Sequence, residues 1–91
     1  MEDILERWSH KMKKNELQQK LISENISLDM YSLNGGLPNE AFCLSEINGI
    51  WEVYYSERGN KTGLKVFNKE EDACQCLYDT LYETLKGMSL I

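Results

Sequence analysis

Ninety-one residues, 42% apolar and 27% charged, make one globular domain, too apolar for disorder and short enough to bury only roughly 60–65% of its unfolded surface. No apolar run approaches the roughly 20 residues that cross a bilayer, and the acidic opening Met1-Glu2-Asp3-Ile4 has no signal-peptide core, so a cytoplasmic chain with no membrane partner is expected. The net charge of −5 gathers in the middle: residues 25–60 hold Asp29, Glu40, Glu46, Glu52 and Glu57 against Arg58 alone, which repels a nucleic-acid backbone and attracts a basic protein.

Ile4, Leu5, Trp8 and Met12 share one helical face. The register slips before Leu17, so either one kinked helix or two short ones fit, and residues 1–14 read as a helical extension onto a domain spanning 15–91. Asn15 with Gln18 forms a capping-box pattern for a helix over 16–24 that buries Leu17, Leu21 and, as a third candidate, Ile22. Residues 30–33 suit a short strand, and Asn34-Gly35-Gly36-Leu37-Pro38-Asn39 is dense in turn formers.

Two β-rich runs, 41–47 and 50–55, flank Asn48-Gly49, a pair that suits the positive φ angles of a type I′ hairpin turn. The turn fixes a register in which Ile47 faces Ile50, Ser45 faces Glu52, Leu44 faces Val53, Cys43 faces Tyr54 and Phe42 faces Tyr55. One face then carries Phe42, Leu44, Val53 and Tyr55 as core; the other carries Cys43, Ser45, Glu52 and Tyr54 toward solvent. A looser turn over 56–63 leads to a strand over 64–67. Asn68 reads as an N-cap before the acidic turn Glu70-Glu71, and Ala73, Cys74, Leu77, Leu81 and Leu85 keep helical spacing up to a Gly87 stop. The fold class is α+β: an N-terminal helix or helices, a three- to four-stranded antiparallel sheet and a C-terminal helix, with one sheet face open.

No catalytic constellation is visible, and no cofactor or metal is expected. Three cysteines make a poor disulfide framework, and Cys74 and Cys76, two positions apart on a helix, face different ways and cannot jointly grip zinc. His10 has no acid or nucleophile near it in sequence and reads as solvated on the first helix. Asn34-Gly35-Gly36 lacks the context of a phosphate loop. Glu52 and Glu57 are a formal acid/base pair, but carboxylates on an open hairpin are ordinarily solvated. The α-β-β-β-α order suggests a double-stranded RNA-binding domain, but the turn that should supply lysines reads Lys69-Glu70-Glu71-Asp72, and that reading is rejected.

The most distinctive stretches are Tyr31-Ser32-Leu33-Asn34-Gly35-Gly36-Leu37-Pro38-Asn39-Glu40-Ala41, Trp51-Glu52-Val53-Tyr54-Tyr55-Ser56-Glu57-Arg58-Gly59 and Ala73-Cys74. In these, residues 15–87 resemble a small immunity-protein family of bacterial polymorphic toxin systems, immunity protein fifty-nine type. The resemblance implies a cytoplasmic antidote, not an enzyme, that binds and blocks a cognate toxin domain, often a nuclease, by occlusion. No catalytic residues carry over. Tyr and Arg are favoured interface anchors, and acids beside them add charge complementarity. The expected partner-binding residues are therefore Glu52, Tyr54, Glu57 and Arg58, with Asn34 and Glu40 nearby, facing a basic toxin domain. The chain is expected as a monomer or weak homodimer. The alternatives are a cytosolic adaptor or structural protein-binding module with no toxin partner, and a small enzyme using Cys43 or Cys74 as nucleophile.

Overall fold

The computed structural model describes residues 12–88. The expected helical face of Ile4, Leu5 and Trp8, and His10, lie outside the described residues.

The first helix, α1, runs from Lys14 to Ser23, and its cap is Lys13, not the expected Asn15. Glu16 reaches back to accept the Lys13 N–H at 2.8 Å, and Glu70 of the last helix accepts the Lys14 N–H at 2.8 Å. These two carboxylates satisfy orphan donors earlier in the chain than Asn15 can, and their charge suits a helix N-terminus. Leu17 and Leu21 are buried as expected, whereas Ile22 lies off that stripe and is exposed.

A 3₁₀ turn, Leu28–Met30, leads into the short strand β1, Tyr31–Ser32. Strands β2 (Ala41–Ile47), β3 (Ile50–Glu57) and β4 (Asn60–Phe67) complete one sheet in the order β1-β2-β3-β4. The expectation of an antiparallel sheet fails at one edge. β1 pairs parallel with β2, because the loop over 33–40 doubles back and re-enters the sheet in the same direction. Gly35 and Gly36 sit at φ +68° and +85° in that loop, a conformation L side chains rarely adopt.

The β2–β3 register is the expected one at every pair from Phe42↔Tyr55 to Ile47↔Ile50. Asn48 and Gly49 both take positive φ, and the Glu46 carboxylate accepts the Gly49 N–H at 2.7 Å. The looser turn expected over 56–63 is instead a second two-residue hairpin. Arg58 and Gly59 also take positive φ, β3 extends to Glu57 and β4 starts at Asn60. A β-bulge opposite Tyr54, between the pairs Val53↔Lys65 and Tyr55↔Thr62, carries the extra residue, and Gly63 supplies a positive φ there.

The last helix, α2, spans Glu70–Gly87 and buries Ala73, Cys74, Leu77, Leu81 and Leu85, the expected stripe. Its N-cap is Lys69 rather than Asn68, and Gly87 lies inside the last turn with Met88 as cap, so glycine does not stop it. The helices run side by side in the same direction, since the start of α1 meets Glu70 and Glu24 just beyond its end meets Tyr78 of α2. Leu17, Leu21, Leu44, Val53, Leu77 and Leu81 form the centre of the core between the helices and one sheet face.

Candidate functional site

Pairing puts Ala41, Cys43, Ser45 and Ile47 of β2 on the face turned away from this core, with Ile50, Glu52, Tyr54 and Ser56 of β3 and Lys61 and Val66 of β4. Half of this outer face is covered. The Asn34-Gly35-Gly36 loop lies across it, with the Gly35 N–H donating to the Leu44 carbonyl at 2.8 Å and the Ser32 hydroxyl donating to the Gly35 carbonyl at 2.8 Å. Gly35 comes so close that a Cβ there would stand 3.1 Å from the Ser45 Cβ.

Tyr54 was expected to stand outward as the exposed anchor; it is 2% exposed. Its hydroxyl donates to the Gly36 carbonyl at 2.7 Å, which makes it a strut beneath the loop. Burial, more than the neighbouring Cys43 and Glu52, pushes its pKa up to about 12, so it holds its proton as a donor. Alternation along the strand named its face correctly, but the loop closes over that face. Cys43, opposite Tyr54, is buried by the same cover.

The other half of the face is open. Ile47 is 59% exposed, Ile50 41% and Val66 58%, and alternation from Val66 puts the exposed Leu64 on the same face, two residues along β4. Glu52 shares this face and points outward as expected, opposite Val66 and next to Ile50 along its strand. Its carboxylate pairs with Lys61 Nζ at 3.0 Å, and that ammonium also sits 4.7 Å from the Tyr54 ring centroid.

The remaining expected residues do not join one patch. Asn34 accepts from Lys14 Nζ at 2.8 Å, beside a polar cleft of about 400 Å³ lined by Ser45, Ile47 and Trp51. Glu40 and Glu57 lie at the other end of the hairpin, where both carboxylates add to burial in raising the Tyr55 pKa. Arg58 is exposed in the β3–β4 turn. The six residues thus straddle the sheet from end to end, with Tyr54 sealed between them.

One surface feature lies outside that set. Tyr78 and Tyr82 stand one turn apart on α2 with ring centroids 6.2 Å apart, and Tyr82 is 42% exposed. The Tyr78 hydroxyl donates to both Glu24 oxygens, at 2.9 and 3.1 Å. Lys20 Nζ stands 4.9 Å from the Tyr78 centroid and 3.1 Å from the same carboxylate. The i, i+4 spacing of two tyrosines beside the leucine stripe was the signal available in the sequence.

Two of the thiols are poorly placed for nucleophilic chemistry. Burial, then the carboxylates of Glu70 and Glu71, pushes Cys74 up to about 12, and burial raises Cys43 as well, which disfavours the reactive thiolate of both. Among the described residues, no group of three or more His, Cys, Asp or Glu could hold a metal ion, and no helix is long and apolar enough to cross a membrane. No protein-family model, curated protein or solved structure matches the chain.

Proposed function

We propose that the chain is an immunity protein that binds a cognate bacterial toxin domain through the open half of its outer sheet face and blocks it by occlusion. The observation that carries the reading is the group of four exposed aliphatic side chains, Ile47, Ile50, Leu64 and Val66, on a face that neither described helix covers. Burying them against a partner supplies affinity at about 25 cal/mol per Å² of apolar area. The carboxylates at this end of the sheet, Glu52 on the same face and Glu46 at the Asn48-Gly49 turn, steer a basic partner and set its orientation, which matters for an antidote that must capture its toxin quickly. Tyr54 serves indirectly, by holding the loop that borders the patch.

The test is to read the gene immediately upstream for a large secreted protein and to coexpress the C-terminal domain of that protein with the chain, with bacterial growth as the readout. The parent chain restores growth and forms a stable complex with that domain. Ile50→Lys/Val66→Lys loses both while keeping its unfolding midpoint, because exposed substitutions ordinarily change stability by only about 0.5 kcal/mol. A parent chain that neither binds nor protects refutes the immunity reading. A double variant that protects as well as the parent refutes the assignment of the face.

A further inference from the structure

We infer that the outward side of α2 is a second docking surface, which takes an arginine or lysine side chain of a basic protein segment between the Tyr82 ring and the carboxylates of Asp79 and Glu83. The inference goes beyond the toxin reading, since it requires only a protein that presents a cation.

The argument starts one turn earlier on the same helix. There the chain has already built such a cage and filled it from within. The Lys20 ammonium lies over the Tyr78 ring at 4.9 Å and contacts the Glu24 carboxylate at 3.1 Å, and the Tyr78 hydroxyl fixes that carboxylate in place. Ring face and carboxylate act together, the quadrupole and the full negative charge both favouring the cation.

Tyr82 repeats the ring, and its neighbours repeat the charge. Tyr78, Asp79, Tyr82 and Glu83 line one open cleft of about 500 Å³. Asp79 accepts a hydrogen bond from the Gln75 amide at 2.9 Å, a neutral donor that leaves its charge in place. Among the described residues, no lysine or arginine forms an ion pair with Asp79 or Glu83; Lys86, three residues beyond Glu83, forms none. The second ring therefore has its carboxylates and an open face but no cation of its own. A planar guanidinium can stack on the ring while donating to both carboxylates, and an ammonium can do so as a point charge. An anionic ligand would be repelled by both acids. Each contact is weak at an exposed site, so a segment with more than one basic residue suits the surface better than a free amino acid.

The experiment is an amide-shift titration of the isotopically labelled full chain with the peptide acetyl-Gly-Arg-Gly-Arg-Gly-amide at low salt, with the Glu-for-Arg peptide as control. The basic peptide moves the amides of Asp79, Tyr82 and Glu83 in a saturable way and the acidic peptide does not. Tyr82→Ala and Asp79→Asn/Glu83→Gln each weaken binding about two- to fivefold, while Asp29→Asn, an exposed carboxylate elsewhere, leaves it unchanged. These are surface positions, and an undisturbed spectrum shows that the variants fold. Absence of saturable shifts at the three residues, or unaltered affinity in both α2 variants, overturns the proposal. Failure here leaves the growth assay untouched, and failure of the growth assay leaves this titration untouched, so the two readings fall separately.

Discussion

Gly35→Ala isolates the contact on which the shape of the outer face depends. Gly35 sits at φ +68°, where a Cβ costs about 1 kcal/mol from its clash with the backbone. The same Cβ would stand 3.1 Å from the Ser45 Cβ, so the loop must lift by a few tenths of an ångström. That lift strains the Gly35 N–H bond to Leu44 at 2.8 Å and the Tyr54 hydroxyl bond to Gly36 at 2.7 Å, each worth about 1 kcal/mol net. Partial loss of the two brings the expected destabilisation to about 2 kcal/mol, or a melting temperature roughly 8–16 °C lower for a domain of this size. Gly49→Ala is the control: its φ of +84° carries a similar backbone cost, but nothing lies within 4 Å of the added Cβ. Urea unfolding followed by tryptophan fluorescence, to which Trp51 contributes from a partly buried place against the core, gives both values. If Gly35→Ala costs no more than Gly49→Ala, the loop does not rest on the sheet as described.

Leu77 has no exposed surface in the centre of the core, so Leu77→Ala should cost about 2–5 kcal/mol in urea unfolding; an unchanged midpoint would refute the inward face of α2. Stability should fall as pH rises from about 9 to about 12. Tyr54 and Tyr78, which ordinarily ionise near 10, and Cys74, near 9, all hold their protons to about 12 when folded, so the unfolded chain gives up its protons first. Circular dichroism at fixed urea across that range checks the sign, and a flat or rising stability contradicts it. Native alkylation with iodoacetamide should modify Cys76, which is partly exposed, well before the buried Cys43 and Cys74; intact-mass analysis showing all three labelled at one rate would contradict the burial.

The parts of the fold legible in the sequence were those decided by neighbours in the chain. Asn48-Gly49 specifies its own turn, and the turn alone sets every pair of the hairpin. The leucine stripe of α2 follows from period and needs no partner to be read. Features set by distant contacts were not legible. The start of α1 depends on Glu70, 56 residues away, and so a local capping box at Asn15 was outcompeted. The parallel pairing of β1 depends on a loop that reverses, which turn-forming residues announce without giving a direction. Arg58-Gly59 was legible in part: Gly59 marked a turn, but strand 60–67 holds glycine in a bulge, and a glycine in a strand run reads equally well as a loop.

The candidate site shows the same division. Alternation assigns a side chain to a face; it does not say whether another segment lies over that face. Glu52 and Tyr54 have the same direction, yet the loop seals Tyr54 while Glu52 keeps its contact with Lys61 at the edge of the cover. The apolar patch is not legible in the sequence because Ile47, Ile50, Leu64 and Val66 come from three strands, and the bulge at Gly63 decides which residues of β4 face outward, with Val66 opposite Glu52 and Leu64 two residues away on the same side. The resulting geometry separates the two surfaces. The aliphatic patch lies on the far side of the sheet from α2, whereas Tyr82, Asp79 and Glu83 face away from the sheet altogether. Direct contact between them is excluded by the intervening core. Substitutions on the two surfaces should therefore act additively on binding, as distant sites do. Strong coupling between Val66→Lys and Tyr82→Ala in the affinity for one partner would mean that the partner wraps the domain and meets both sides at once.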